Sequence, residues 1–467
     1  MRRDVTRTIV KGGLVVAPGG AIHADILIEE GRIAGLVERM EAGPADEVID
    51  AAGLVILPGA IDAHTHFIQD DPVIGLSSEE ESEGFVNGGR AAAAGGVTTV
   101  VEMPQATPPT LDGHSFRRRR DLASREAIVD FALWGGVCAG QEAAALDEQI
   151  AEGAVGFKAF MCDSDPTFPG VQDDQLLATL EHLKDTPYLF GLHAESDSLL
   201  HAGLQRMAET GRTDPRAHAD SRPPIVEIEA VNRAIFFAEA TGGWVHIVHL
   251  STPGAAQLVR DAKERGVKVT AETCPQYLAL DLDDLDRLAG FAKCAPAIRD
   301  REQVEALWTY VADGTIDCIT SDHCGYSYES KKRGDDNIWL APNGLSGVQT
   351  LLPVFISEAR ARGLSWEHIA DVTATTPAEL WHLAPRKGLI QIGADADLAI
   401  VDPDARWTVT NDGLEHSHKW TPFAGRELQG RVVRTMLRGT TIYRHDRDDR
   451  ILVQPGFGQF LPAAINA

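Results

Sequence analysis

No stretch of this 467-residue chain approaches 18 uninterrupted apolar residues, so no part of it reads as a membrane-spanning helix. Cysteine is scarce: Cys138, Cys162, Cys274, Cys294, Cys318 and Cys324 are six scattered thiols with no C-x-x-C pair. That excludes a disulfide framework and predicts reduced thiols in a cytoplasmic protein. Positive charge is in deficit, with 43 Lys and Arg against 69 Asp and Glu and a formal net charge of -26. The deficit argues against nucleic acid or an anionic membrane as partner. A signal-peptide core is missing as well, because Lys11, Gly12 and Gly13 interrupt the residues that follow Met1-Arg2-Arg3. No G-x-S-x-G elbow occurs, and Ser321, Asp322 and His323 are chain neighbours, which suits no serine-nucleophile triad.

What is present is the composition of a globular protein, 44% hydrophobic and 24% charged, at a length that suggests one large domain and an accessory one. Residues 7–57 read as short strands with turns at Pro18-Gly19-Gly20 and Glu30-Gly31, and a similar β texture returns near 395–401 and 432–439. Between these ends, apolar runs alternate with helical stretches. Eight runs are expected as strands: Val55–Ile61, Val97–Met103, Phe131–Val137, Val155–Phe160, Tyr188–Leu192, Trp244–Leu250, Val267–Glu272 and Ile316–Ser321. One intervening helix opens on Thr252-Pro253, an N-cap followed by proline at the first helical position, and stops at Gly266. Eight such units fit an α/β fold of the (β/α)8 TIM-barrel type, whose buried parallel strands are apolar throughout. An open doubly wound sheet is the alternative. It calls for a glycine-rich phosphate turn after the first strand, where this chain carries His64-Thr65-His66.

Residues i and i+2 of a strand face the same way, so His64 and His66 aim two imidazoles at one point, as a divalent metal requires. In a barrel the site lies at the carboxyl ends of the strands. Lys158, His193, His249 and Asp322 fall at the ends of the fourth, fifth, sixth and eighth runs and converge on the same mouth. A lysine among apolar neighbours is easily deprotonated, and its neutral amine takes up carbon dioxide to form a carbamate, a carboxylate able to bridge two ions. Two ions would polarise a carbonyl and make hydroxide available near neutral pH. Asp322 would bind one ion and serve as general base, passing its proton to a leaving nitrogen.

These residues resemble the amidohydrolase superfamily, in its cyclic amidase branch of allantoinases, hydantoinases/dihydropyrimidinases and dihydroorotases. The resemblance rests on Pro58-Gly59-Ala60-Ile61-Asp62-Ala63-His64-Thr65-His66, Ala94–Pro104, Gly156-Phe157-Lys158-Ala159-Phe160-Met161, Thr320-Ser321-Asp322-His323-Cys324 and Pro385–Leu398. It implies a small β-sandwich domain built from both termini, residues 1–57 with 388–467, beside a catalytic barrel of residues 58–387. It also implies metal ligands at His64, His66, Lys158, His193, His249 and Asp322, with two zinc ions bridged by an N6-carboxylysine at Lys158. The expected activity is hydrolysis of a small cyclic amide or ureide by a homo-oligomer, dimeric or tetrameric.

Within the branch the chain is most similar to allantoinases, through Phe85–Met103, Arg222-Pro223-Pro224, Glu272-Thr273-Cys274-Pro275 and Lys293-Cys294-Ala295-Pro296. Pro342-Asn343-Gly344 is closer to hydantoinases, so opening of a hydantoin, dihydropyrimidine or other cyclic imide or lactam is the alternative activity. A deaminase and a non-catalytic scaffold fit less well, since the ligand set is complete and includes the lysine. The implied substrate contacts are Asn343, Asp163 and Ala295. Gln276 stands where allantoinases usually carry histidine, Ala297 where a second proline is usual, and Gln105-Ala106 where an asparagine is usual. Arg299 is expected as an ion-pair residue, Arg117–Arg120 as a solvated helix face or interface patch, and Glu79–Glu81 as a loop over the site mouth or plain surface.

Overall fold

The computed structural model describes residues 7–43, 47–163 and 166–465. In it the chain forms parallel strands β1 (Ala60–His66), β2 (Val97–Glu102), β3 (Asp130–Leu133, resuming at Gly135–Gly136) and β4 (Phe157–Phe160). They continue as β5 (Phe190–His193), β6 (Val245–Ile247), β7 (Val269–Thr273) and β8 (Cys318–Ile319, resuming at His323–Cys324). Each pairs with the next, and β8 returns to β1 through His323 opposite Thr65, so the row closes into a ring. Helices such as Asp173–Leu183, Pro224–Thr241 and Pro253–Glu264 connect successive strands. The last of these starts as its sequence predicts: the Thr252 hydroxyl accepts from the Ala255 N–H at 3.3 Å. It buries Ala255, Ala256, Val259 and Ala262, one stripe at helical spacing.

The first apolar run differs from the expected single strand. Val55–Pro58 belongs to a second sheet, Ala60–His66 belongs to the ring, and Gly59 is the crossing point. A Cβ at Gly59 would stand 2.3 Å from the Thr98 hydroxyl oxygen, so the passage between the sheets is too narrow for any side chain.

The second sheet has eight strands drawn from both ends of the chain. Val55–Pro58 is its junction, pairing in parallel with Thr8–Ala17 on one side and antiparallel with Leu398–Val401 on the other. Alternate residues serve two cores, as the pleat dictates. Ile56, Leu398 and Ile400 pack with Val10, Ile26 and Met436, while Val55, Leu57, Ala399 and Val401 join the main core around the ring.

A buried polar knot ties this sheet to the ring at the end opposite the strand carboxyl termini. Lys387 donates to Asp130 at the start of β3 (2.6 Å) and to Asp397 (2.7 Å), and lies 3.0 Å from Asp395. Arg438 also meets Asp130. Removing the ammonium strands carboxylates in the interior, a loss that typically costs about 3–5 kcal/mol. Lys387→Met is therefore expected to lower the unfolding free energy by that amount, read from urea unfolding monitored by circular dichroism.

Candidate active site

The carboxyl ends of the ring strands open into one cavity of about 560 Å³. Its lining includes each expected metal ligand and substrate contact: His64, His66, Lys158, His193, His249, Asp322, Asn343, Asp163 and Ala295. His64 and His66 share the inner side of β1, and Thr65 between them faces away to donate to Glu102 at 2.9 Å. His193 is the last residue of β5 and Lys158 lies within β4. His249 follows β6 and Asp322 occupies the break in β8. Both have left-handed backbones, with φ of 39° and 49°. Non-glycine residues tolerate that conformation only where their surroundings enforce it.

Hydrogen bonds fix which lone pairs point inward. The His64 Nδ1–H donates to Glu272 on β7 at 2.5 Å, which leaves Nε2 free to face Asp322 Oδ1 at 3.2 Å and His66 Nε2 at 3.3 Å. The His193 Nε2–H donates to Glu195 at 2.9 Å, leaving Nδ1 directed at His249 Nε2, also at 2.9 Å. His249 Nδ1 is buried without a partner among the described residues. Donor atoms of His64, His66 and Asp322 all lie within 4.8 Å of one another. Imidazole lone pairs and a carboxylate oxygen crowded together, with their outward nitrogens tied to carboxylates, are what a divalent cation needs, and the donor set fits one.

The electrostatics agree. Burial alone would raise the Asp322 carboxyl, but the neighbouring His64, His66 and His249 hold it below the usual carboxylate range. Glu272 is likewise kept ionised, against burial, by His64 and His246. Burial pushes His66 down to about 4 and His249 well below its ordinary value, so both are neutral ligand-type imidazoles near pH 7. Lys158 is 1% exposed, its ammonium nitrogen 3.5 Å from the centre of the Phe160 ring. Burial lowers it to about 7, which makes its neutral amine accessible near neutrality. Burial also drives the Cys324 thiol well above its ordinary value, which disfavours the nucleophilic thiolate.

Two of the departures from the family pattern lie off the cavity wall and one lies on it. Gln276 donates to the Ser321 carbonyl at 3.2 Å, and Ala297 packs with Leu285 and Ala292, so neither lines the cavity. Gln105 does line it. Asp163 holds a loop at the rim, accepting from the Gly170 N–H at 3.2 Å. Arg299 braces its surroundings through the Arg222 carbonyl (2.6 Å) and Ser251 (3.1 Å). The basic helix is only partly solvated: Arg117 and Arg120 pair with Glu152, but Arg119 is buried 3.8 Å from Glu102. In the acidic run, Glu79 is exposed. Glu81 is buried, accepting from Ser327 and Ser330, because loop 325–330 folds over it. The Glu80 side chain lies outside the described residues.

Several functional neighbours were given no role by the sequence, although Arg222 and Glu272 fall in blocks shared with allantoinases. Glu272 and Glu195 orient the histidines, and Arg222 pairs with Glu195 at 2.5 Å. Lys331 gathers three carbonyls, those of Lys293 (3.0 Å), Pro342 (2.8 Å) and Gly344 (2.7 Å). It thereby joins the two segments that carry Ala295 and Asn343 to the cavity wall. In the sequence it is one of three consecutive basic residues, Lys331-Lys332-Arg333, a pattern that reads as solvated surface.

A model of the family described as "Amidohydrolase family" matches residues 55–442. An allantoinase of Rubrobacter xylanophilus is 42% identical over 442 residues, 94% of each chain. An allantoinase of Solibacter usitatus is 39% identical over 469 residues, covering 99% of this chain and 98% of its own. Among solved structures, the L-hydantoinase (dihydropyrimidinase) from Arthrobacter aurescens superimposes with a TM-score of 0.91 at 33% identity, over 98% of this chain and 100% of that one.

Proposed function

The chain belongs to the amidohydrolase family, and from that premise we propose that it hydrolyses the hydantoin ring of allantoin to give allantoate. The observation that carries this reading is the six-residue set His64, His66, Lys158, His193, His249 and Asp322 gathered at one cavity. Full-length similarity to allantoinases supports the choice of ring. Of the departures from the allantoinase pattern, Gln276 and Ala297 do not line the cavity, and Gln105 does.

In this reading the six residues would hold two divalent ions, zinc by the habit of the family, with Lys158 serving as a carboxylated ligand. When bound, the ions supply Lewis acidity toward the ring carbonyl and make hydroxide available near neutral pH. Asp322 accepts the proton of the attacking water and returns it to the ring nitrogen as the amide C–N bond breaks, so one water is consumed and a carboxylate and a ureido group are formed. Glu272 and Glu195 keep the His64 and His193 tautomers fixed throughout. Asn343 and the Ala295 backbone orient the ring, held by Lys331. Residues 1–57 and 388–467 are assigned to the small β-sandwich domain and residues 58–387 to the catalytic barrel. Copies of the chain associate as dimers or tetramers.

The test is a side-by-side assay of the zinc-loaded protein on allantoin, hydantoin, 5-substituted hydantoins, dihydrouracil and dihydroorotate, following proton release. Allantoin is expected to give the highest kcat/KM. Opening of another ring with little or none of allantoin would move the protein to the hydantoinase side of its family.

A further inference from the structure

The cavity wall away from the histidines carries a second polar group of residues. Lys293, His218 and Trp339 all line the cavity, and Trp339 neighbours both of the others. Its ring centre is 5.8 Å from the Lys293 ammonium nitrogen and 6.3 Å from the centre of the His218 ring. Lys293 is 5% exposed and His218 is 1% exposed. Lys293 spends one N–H on the Ala341 carbonyl at 2.6 Å and keeps further donors. His218 donates its Nε2–H to the Cys294 carbonyl at 2.8 Å, which makes Nδ1 an acceptor in the neutral ring. That Nδ1 is buried with no partner among the described residues. Burial and the nearby Arg222 and Lys293 charges hold His218 well below its ordinary value, so the ring is neutral.

A buried acceptor left empty costs free energy until something fills it. One unspent donor and one unspent acceptor, both beside the same indole, select a ligand group that is planar and offers both a carbonyl and an N–H. A carboxylate would meet the His218 lone pair. An alkyl or aryl group would leave both partners unsatisfied. A ureido group satisfies both, and allantoin is hydantoin carrying a ureido group on ring carbon 5.

We infer that Lys293 and His218 form the subsite that recognises the ureido arm of the substrate, Lys293 donating to its carbonyl and His218 Nδ1 accepting its N–H over the face of Trp339. The inference rests on the allantoin reading above and adds to it the residues that separate allantoin from plainer hydantoins. Neither residue touches the reacting bond, so both act on specificity.

The experiment measures kcat/KM of the zinc-loaded full-length protein for allantoin, hydantoin and hydantoin-5-acetate, in the unmodified protein and in Lys293→Met and His218→Leu. Each variant is expected to lose roughly 10- to 100-fold of the allantoin-to-hydantoin preference, the worth of one hydrogen bond to a charged or buried partner. The loss should appear chiefly as a higher KM for allantoin. A folding defect or metal loss lowers both rates together and leaves the ratio in place, so the ratio reads recognition in either variant. Allantoin opening with the preference unchanged in both variants overturns the inference alone. A preference for hydantoin-5-acetate over allantoin in the unmodified protein also overturns it, marking the wall as an anion site. Failure of the unmodified protein to open allantoin overturns the underlying reading and this inference with it.

Discussion

Asp322→Asn is expected to stop ring opening while most of the bound metal stays in place. The asparagine amide keeps an oxygen near the spot where Asp322 Oδ1 now lies, 3.2 Å from His64 Nε2 and 3.5 Å from His66 Nε2. It cannot take a proton from water or return one to a leaving nitrogen. The carboxylate is suited to that work because the surrounding imidazoles keep it ionised despite burial. General acid–base assistance is worth about 10²–10⁴-fold, so kcat should fall by at least the lower figure. Elemental analysis of the same preparation completes the measurement. Metal loss in proportion to activity would reduce Asp322 to a ligand, and turnover within a factor of ten of the parent would remove it from proton transfer altogether.

Lys158→Ala is expected to lose both activity and metal. Its nitrogen is the one position in the ligand set that must be chemically modified before it can bind a cation. The surroundings favour the modification: the side chain is 1% exposed, stacked on Phe160, and burial brings it to about 7. Loss of the bridge removes the Lewis acidity, worth several kcal/mol, so activity should fall about 1,000-fold or more. The alanine variant leaves room where the lysine stem was, and a short-chain carboxylic acid supplied in solution can place a carboxylate there. Partial recovery of turnover with acetate or propionate is the expected result. Substantial activity in the variant without such an acid would contradict the bridging role.

The histidines and Asp322 were legible in the sequence because strand period and barrel geometry are rules of backbone: residues two apart share a face, and strand ends share a mouth. The eight ring strands were legible for the same reason, through runs of apolar residues between helical stretches. Their lengths were not. Trp244–Leu250 reads as one run, yet only Val245–Ile247 pairs, since the chain must turn at His249 to aim its ring inward. The split of the first run at Gly59 depended on how near Thr98 lies, a fact of packing between segments far apart in the chain. Glu272 ends an apolar run and opens a block shared with allantoinases, but the sequence assigns it no role. Its role appears only when β7 is placed beside β6 and across from β1. The roles of Lys293, Lys331 and His218 were invisible for a further reason. A buried cation or imidazole is defined by what surrounds it, and neighbouring charges in sequence, such as Lys332 and Arg333, suggest solvent instead.

The junction at Val55–Pro58 sets an order of events during synthesis. This strand emerges early and finds Thr8–Ala17 for one edge, but its other edge is completed only by Leu398–Val401. At typical translation speeds of about 5–20 residues per second, that edge waits on the order of tens of seconds on the ribosome. An unpaired, apolar strand edge is a template for pairing with other chains. Yield in a heterologous host should therefore be governed by how well that early edge is shielded, and chains cut short before residue 398 should be recovered mainly as aggregates.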